Sequence, residues 1–184
     1  LASELHLYAA ARDRGTPALS LRLFNVYGPR QDPANPYCGV ISRFIEAAAA
    51  GAPIEVHGDG AQTRDFVYVG DVAAAVCAAL FGPPGGGEVY NVGAGVETSV
   101  RALAEQVRTA CASASAIVTG PARPGDIRRS CADIGRARAV LGYAPSVALA
   151  DGIARTVAWW RADAAARSRP APGPEIDGDA DLDA

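Results

Sequence analysis

The side chains best placed for chemistry are arginines and carboxylates set among glycines and prolines. Arg64 follows the Gly58-Asp59-Gly60 turn and opens the apolar run Asp65-Phe-Val-Tyr-Val. Arg123 stands between prolines in Pro121-Ala-Arg-Pro-Gly-Asp, with Asp126 three residues on. An arginine whose stem is restrained in this way suits a phosphate-bearing ligand, because its planar fork pairs with two anionic oxygens at once. A pyrophosphate stripped of water needs such fixed cations, together with amide donors. Asn25 ends an apolar run, at the edge where α/β sheets hold ligands. Each residue also has a plainer reading. Arg64 could pair with its neighbour Asp65 on the surface, Arg123 and Asp126 could pair across their turn, and Asn25 could cap the end of a strand.

Other reactive side chains carry less. Tyr8 and Arg12 are four apart, an ordinary spacing for neighbours on a helix, although an arginine charge can lower a tyrosine pKa. Asp71 reads as a helix cap, and Trp159-Trp160 as packing. The four cysteines, Cys38, Cys77, Cys111 and Cys131, are far apart, form no C-x-x-C and have two histidines to assist them. That excludes a structural zinc site and reads as small core residues in a reducing compartment. Asp177-Gly-Asp-Ala-Asp lacks the sixth-position glycine and closing glutamate of a calcium loop, so no metal is expected.

Bulk composition narrows the classes further. The sequence has 184 residues, 49% of them apolar and 20% charged, with a net charge of −3, so a basic nucleic-acid footprint is absent. All 17 basic side chains are arginine, and there is neither lysine nor methionine. The longest apolar run, 72–81, is too short to cross a bilayer, so no membrane partner is expected. Cytoplasmic residence is the expectation.

The elements that must position these residues are legible from periodicity and punctuation. Residues 1–14 predict an amphipathic helix with Leu1, Leu5, Tyr8 and Ala9 on one stripe, stopped by Gly15. The run 18–26 reads as one buried strand of a parallel sheet, and 27–37 as a loop broken by Gly28, Pro29, Pro33 and Pro36. A helix over 40–50 closes at Gly51. Residues 54–57, 58–60 and 65–69 read as strand, turn and strand. Asp71 caps a helix over 72–80. A strand over 88–92 follows, then a helix from Thr98 or Ser99 to about Cys111 and a short strand over 116–119. Helices over 132–141 and 149–166 come last, the second with Ile153, Val157 and Trp160 on one face. From Arg169 onward proline, glycine and acidic residues predict a disordered tail.

Four strings converge on one resemblance: Leu21-Arg-Leu-Phe-Asn-Val-Tyr-Gly-Pro-Arg-Gln-Asp-Pro, Gly58-Asp-Gly-Ala-Gln-Thr-Arg-Asp-Phe-Val-Tyr-Val-Gly-Asp, Tyr90-Asn-Val-Gly and Pro121-Ala-Arg-Pro-Gly-Asp. Residues 1 to about 165 resemble the C-terminal half of the NAD-dependent nucleotide-sugar epimerase/dehydratase family, the extended short-chain dehydrogenases/reductases. The implied fold is α/β: the last part of a Rossmann-type doubly wound sheet interleaved with a small substrate-binding domain over 1–168, before an acidic tail at 169–184.

The implied partner is a nucleotide-diphosphate sugar, the implied cofactor NAD, and the parent protein could be a homodimer. By resemblance, Arg64 and Arg123 would contact the diphosphate and Asp126 the ribose. Asn25 would contact phosphate or sugar, and Phe24 with Asn25 would border the cofactor. Gly39 and Val40 would meet the base through their backbone. His57 falls where many relatives carry an aromatic residue that stacks on the base, and an ordinary strand-end histidine is the alternative.

The family chemistry oxidises the sugar at C4 by hydride transfer to NAD, assisted by a Tyr-x-x-x-Lys pair that this lysine-free sequence does not hold. No glycine-rich dinucleotide loop occurs either, since Gly85-Gly-Gly and Gly93-Ala-Gly do not open a strand-to-helix turn. The expectation is therefore the substrate-binding portion of a 4-epimerase of UDP-glucose/UDP-galactose type, inactive by itself. The alternatives are a portion of a 4,6-dehydratase or a truncated, non-catalytic nucleotide binder.

Overall fold

At Phe24 the chain changes sheets. In this computed structural model, which describes residues 2–31, 39–83 and 85–167, the run read as one strand is two. β1 (Ala18–Leu23) lies parallel to β5 (Gly86–Val92), and Phe24 adds the last rung by donating its N–H to Val92 O at 3.0 Å. β2 (Asn25–Tyr27) then runs parallel to β4 (Thr63–Tyr68), whose start pairs antiparallel with β6 (Glu97–Ser99). A third sheet joins β3 (Ile54–His57) to β7 (Ile117–Gly120), again parallel.

The expected strand, turn and strand over 54–69 are present, but they do not form a hairpin. Gly58 and Gly60, at φ of 68° and 72°, carry the chain from the third sheet to the second.

Six helices are described: α1 (Ala2–Arg14), α2 (Val40–Ala49), α3 (Val69–Phe81), α4 (Val100–Ala110), α5 (Gly135–Leu141) and α6 (Leu149–Arg167). Two hydrophobic cores hold them to the sheets. One gathers Ile41, Phe44 and Ile45 of α2, Leu103 and Val107 of α4, and Ile153 and Val157 of α6 around Ile54, Val56 and Phe66. The other packs Val72 and Ala75 of α3 and Ala137 of α5 against Val67, Tyr90 and Val92, with Leu19, Leu21 and Phe24 at its margin. The parallel pairs and their covering helices make an α/β fold, as expected.

Several expectations need correction. α1 has no buried residue, and Leu5 and Tyr8 of its apolar stripe stand in solvent. The helix leans on the β1–β5 pair instead: Glu4 takes a two-pronged contact from Arg22, at 2.8 and 2.7 Å, and Gly87 lets the backbone at Tyr8 come close. Asp71 does not cap a helix of its own, because α3 begins earlier, at Val69. Its buried carboxylate accepts from the Ser146 N–H and hydroxyl, both at 3.0 Å, and from the Val147 N–H at 3.2 Å. It therefore ties α3 to the segment that leads into α6.

α5 starts three residues later than expected because Ala132 N–H is bound to Asp65 and Asp133 Oδ1 turns back to Gly135 N–H at 2.9 Å. Cys77 and Cys131 are exposed rather than in the core, whereas Cys111 is half-buried and packs against the first core. Cys38 and the 169–184 tail, with its calcium-loop-like pattern, lie outside the described residues. Among the described residues no cluster of metal-ligating side chains occurs, and no helix is long and apolar enough to cross a membrane.

Candidate functional site

The change of sheets at Phe24, just past the C-terminal end of β1, makes Asn25 the first residue of β2, beside a cleft of about 470 Å³. Each wall has a local reason. α2 runs with Ile41, Ile45 and Ala48 in the core, so its opposite face offers Val40, Arg43 and Ala47 to the opening. β3 buries Ile54 and Val56 completely, and alternation therefore presents Glu55 and His57 to the cleft. β4 contributes Arg64 and Phe66, and the 121–126 loop contributes Arg123 and Asp126. Phe44, Phe66 and Val100 supply the apolar part of the lining.

Of the residues singled out by sequence, Asn25, Val40, His57, Arg64, Arg123 and Asp126 all line this one cleft. Gly39 precedes Val40 as the N-cap of α2 and is not part of the lining. Phe24 is turned away, its ring packed at the margin of the second core and its N–H used in the sheet. Tyr8 and Arg12 do bond, at 2.8 Å, but on the exposed face of α1 and away from the cleft.

Arg64 is held firmly. One terminal nitrogen donates to Thr63 O at 2.7 Å and to Ile127 O at 2.5 Å, and the other pairs with the Asp126 carboxylate. These bonds use three of the five N–H donors of a guanidinium, leaving two for a ligand. The neighbouring Asp65 is not its partner. Successive strand residues face opposite ways, and Asp65 is fully buried on the other side. There its carboxylate accepts from the N–H groups of Ala94 at 2.7 Å, Gly95 at 2.9 Å and Ala132 at 3.1 Å.

Arg123 and Asp126 are joined only through a backbone turn, at 3.2 Å; the Arg123 guanidinium bonds to His57 Nε2 at 2.9 Å. Asn25 donates to Asp65 O at 3.1 Å, so it is tied to β4 while it lines the opening. Arg43, Glu55 and Gln62 are lining residues that the sequence reading missed. For Arg43 a signal existed in its spacing from Val40 and Ala47, which sets it on the face opposite the buried one.

The cleft therefore offers three guanidinium groups, two amides, two carboxylates and an imidazole beside an apolar floor, a lining that suits a polar, partly apolar small molecule. A dinucleotide does not fit the described residues in the same way. The close approach of Gly93 serves packing, since a Cβ there would meet Asp65 Oδ2 and Ala132 Cβ at 2.6 Å each. No Gly-rich turn among the described residues opens a helix that would cradle a pyrophosphate.

Fold and cleft together define a mixed α/β protein with an arginine-lined cleft between its sheets. The model of the NAD-dependent epimerase/dehydratase family matches residues 1–93, and the chain belongs to that family. It is 50% identical over 137 residues to a UDP-glucose 4-epimerase of Mycolicibacterium smegmatis, covering 74% of this chain and 43% of that protein. It is 38% identical over 162 residues to a dTDP-glucose 4,6-dehydratase of an Actinoplanes species, covering 88% of this chain and 49% of that one. Among solved structures, the UDP-glucose 4-epimerase of Thermotoga maritima with UDP-glucose superposes with a TM-score of 0.84 at 36% identity, over 89% of this chain and 52% of that one. The chain thus spans about half the length of the relatives it matches.

Proposed function

We propose that this chain is the nucleotide-sugar-binding portion of an NAD-dependent 4-epimerase of the UDP-glucose/UDP-galactose type. The observation that carries the reading is that Arg64 and Arg123, remote in sequence, line one cleft with Asn25 and Asp126. In this reading the two guanidinium groups neutralise the diphosphate, Asp126 accepts from ribose hydroxyls, and Asn25 meets phosphate or sugar. The base lies between His57 and the start of α2 at Gly39 and Val40. The edge at Phe24 and Asn25 would border the nicotinamide end of NAD, whose pyrophosphate the described residues do not hold. The relative of M. smegmatis, at 50% identity, supports epimerisation as the activity of the whole protein.

Calorimetry with UDP tests the cleft. Micromolar to millimolar binding is expected, weakened on the order of tenfold or more in Arg64→Ala, the scale of one hydrogen bond to a charged group. Equal binding by both proteins would remove Arg64 from the site. The sequence has no lysine, so the 184-residue chain is expected to show no turnover of UDP-galactose with NAD added. Turnover would refute that expectation. The dehydratase relative supports a second reading, a 4,6-dehydratase portion, which predicts tighter binding of dTDP than of UDP.

A further inference from the structure

We propose that His57 is the positioning residue for Arg123, and that it holds the guanidinium over the cleft only while its own ring is neutral. The inference rests on the reading of the cleft as a diphosphate site. An arginine N–H can only donate, so the 2.9 Å contact between Arg123 and His57 Nε2 requires Nε2 to accept. The ring proton then sits on Nδ1, which is buried and has no hydrogen-bond partner; the nearest carboxylate oxygen, Glu55 Oε1, is 3.8 Å away. The imidazole therefore faces a cation at Nε2 and a carboxylate near Nδ1, and its charge decides which of the two it favours. Neutral, it accepts from Arg123. Protonated, it loses that acceptor, sets two cations side by side, and gains attraction to Glu55.

Other charges surround the ring without replacing Arg123 as its partner. Gln62 of the 58–62 turn donates to His57 O at 2.8 Å. Asp59 of the same turn is paired with Arg128 at 2.9 Å, and Asp126 of the 121–126 loop with Arg64. Arg43 of α2 lines the same cleft. The histidine is thus more than a substitute for a stacking aromatic: it decides whether one of the two diphosphate cations is aimed.

Calorimetry with UDP-glucose between about pH 5 and 8, the range in which imidazoles change charge, tests this. A sugar-nucleotide diphosphate lacks the phosphomonoester ionisation near pH 6, and carboxylates as a class titrate lower, so neither masks the result. The wild type should lose on the order of tenfold in affinity as pH falls, the worth of one charge-assisted hydrogen bond. His57→Gln keeps a neutral acceptor and should bind as the wild type does at pH 8, without the acid loss. His57→Phe keeps a stacking ring without an acceptor and should bind weakly at every pH.

A pH-independent wild type, binding that tightens in acid, or a tight His57→Phe would each overturn the proposal while leaving the cleft intact. No binding by the wild type at any pH would overturn both. Imidazole nitrogen NMR needs no ligand: His6 and His57 are the two histidines, and His57→Gln assigns the signals. The Nδ1–H tautomer at neutral pH, lost in Arg123→Ala, is expected; an Nε2–H tautomer overturns the proposal.

Discussion

Asp65 supports the cleft without lining it. Its carboxylate fastens β4 to the 94–95 turn and to Ala132, and thereby fixes the strand from which Arg64 projects. Asp65→Ala leaves the buried Ala132 N–H without an acceptor, and an orphaned donor costs about 1–3 kcal/mol. With the other two bonds also lost, urea denaturation should show a loss of about 2–4 kcal/mol, and an unchanged midpoint would refute the anchoring role. The sequence reading weighed Asp65 only as a surface partner for Arg64. Strand alternation already argued against that pairing, since neighbours along a strand face opposite sides. The N–H groups that the carboxylate reaches are 29 to 67 residues away, and no local pattern identifies them.

At the scale of elements, local rules did well where a single residue decides the boundary. Ser99 was one of two candidate caps, and its hydroxyl accepts from Ala102 N–H at 3.2 Å at the start of α4. Ser99→Ala should cost about 0.5–2 kcal/mol in thermal or urea unfolding, with little effect on UDP affinity. No measurable cost would mean that water serves the helix end equally well. Local rules failed where a partner elsewhere intervened. α5 starts late because Asp65 and Asp133 claim the backbone before it, and the 18–26 run divides because its halves find different neighbours, β5 and β4. Periodicity specifies a strand but not the strand it pairs with.

For the molecule as a whole, the clearest pH signal lies on the alkaline side. Burial raises Tyr143 from 10.0 to about 12, with Asp71 adding to the shift, and burial raises Tyr27 further still. Tyr143 donates to Gly93 O at 2.8 Å and Tyr27 to Leu149 O at 3.3 Å, one in each core. An unfolded tyrosine ionises near pH 10 while the folded one resists, so stability is fully present below pH 10 and drains away as pH rises toward 12. Urea midpoints between pH 9 and 11.5 should fall with a slope that is shallower in Tyr143→Phe. Identical slopes would mean that the phenol is not the linked group.

The sequence by itself determined the α/β class, the helix that starts at Val40, the strand that ends at His57, and the presence of Arg64 and Arg123 beside turns. Those features follow from side-chain periodicity, turn residues and ionic character, all local properties of the chain. Only the tertiary structure decided that Asp126 restrains Arg64, that Arg123 rests on His57, and that Asp65 and Asp71 are anchors between segments. Such pairings depend on which strand ends meet in space, and that is settled by how two cores bury their apolar surface together rather than by any short stretch of residues.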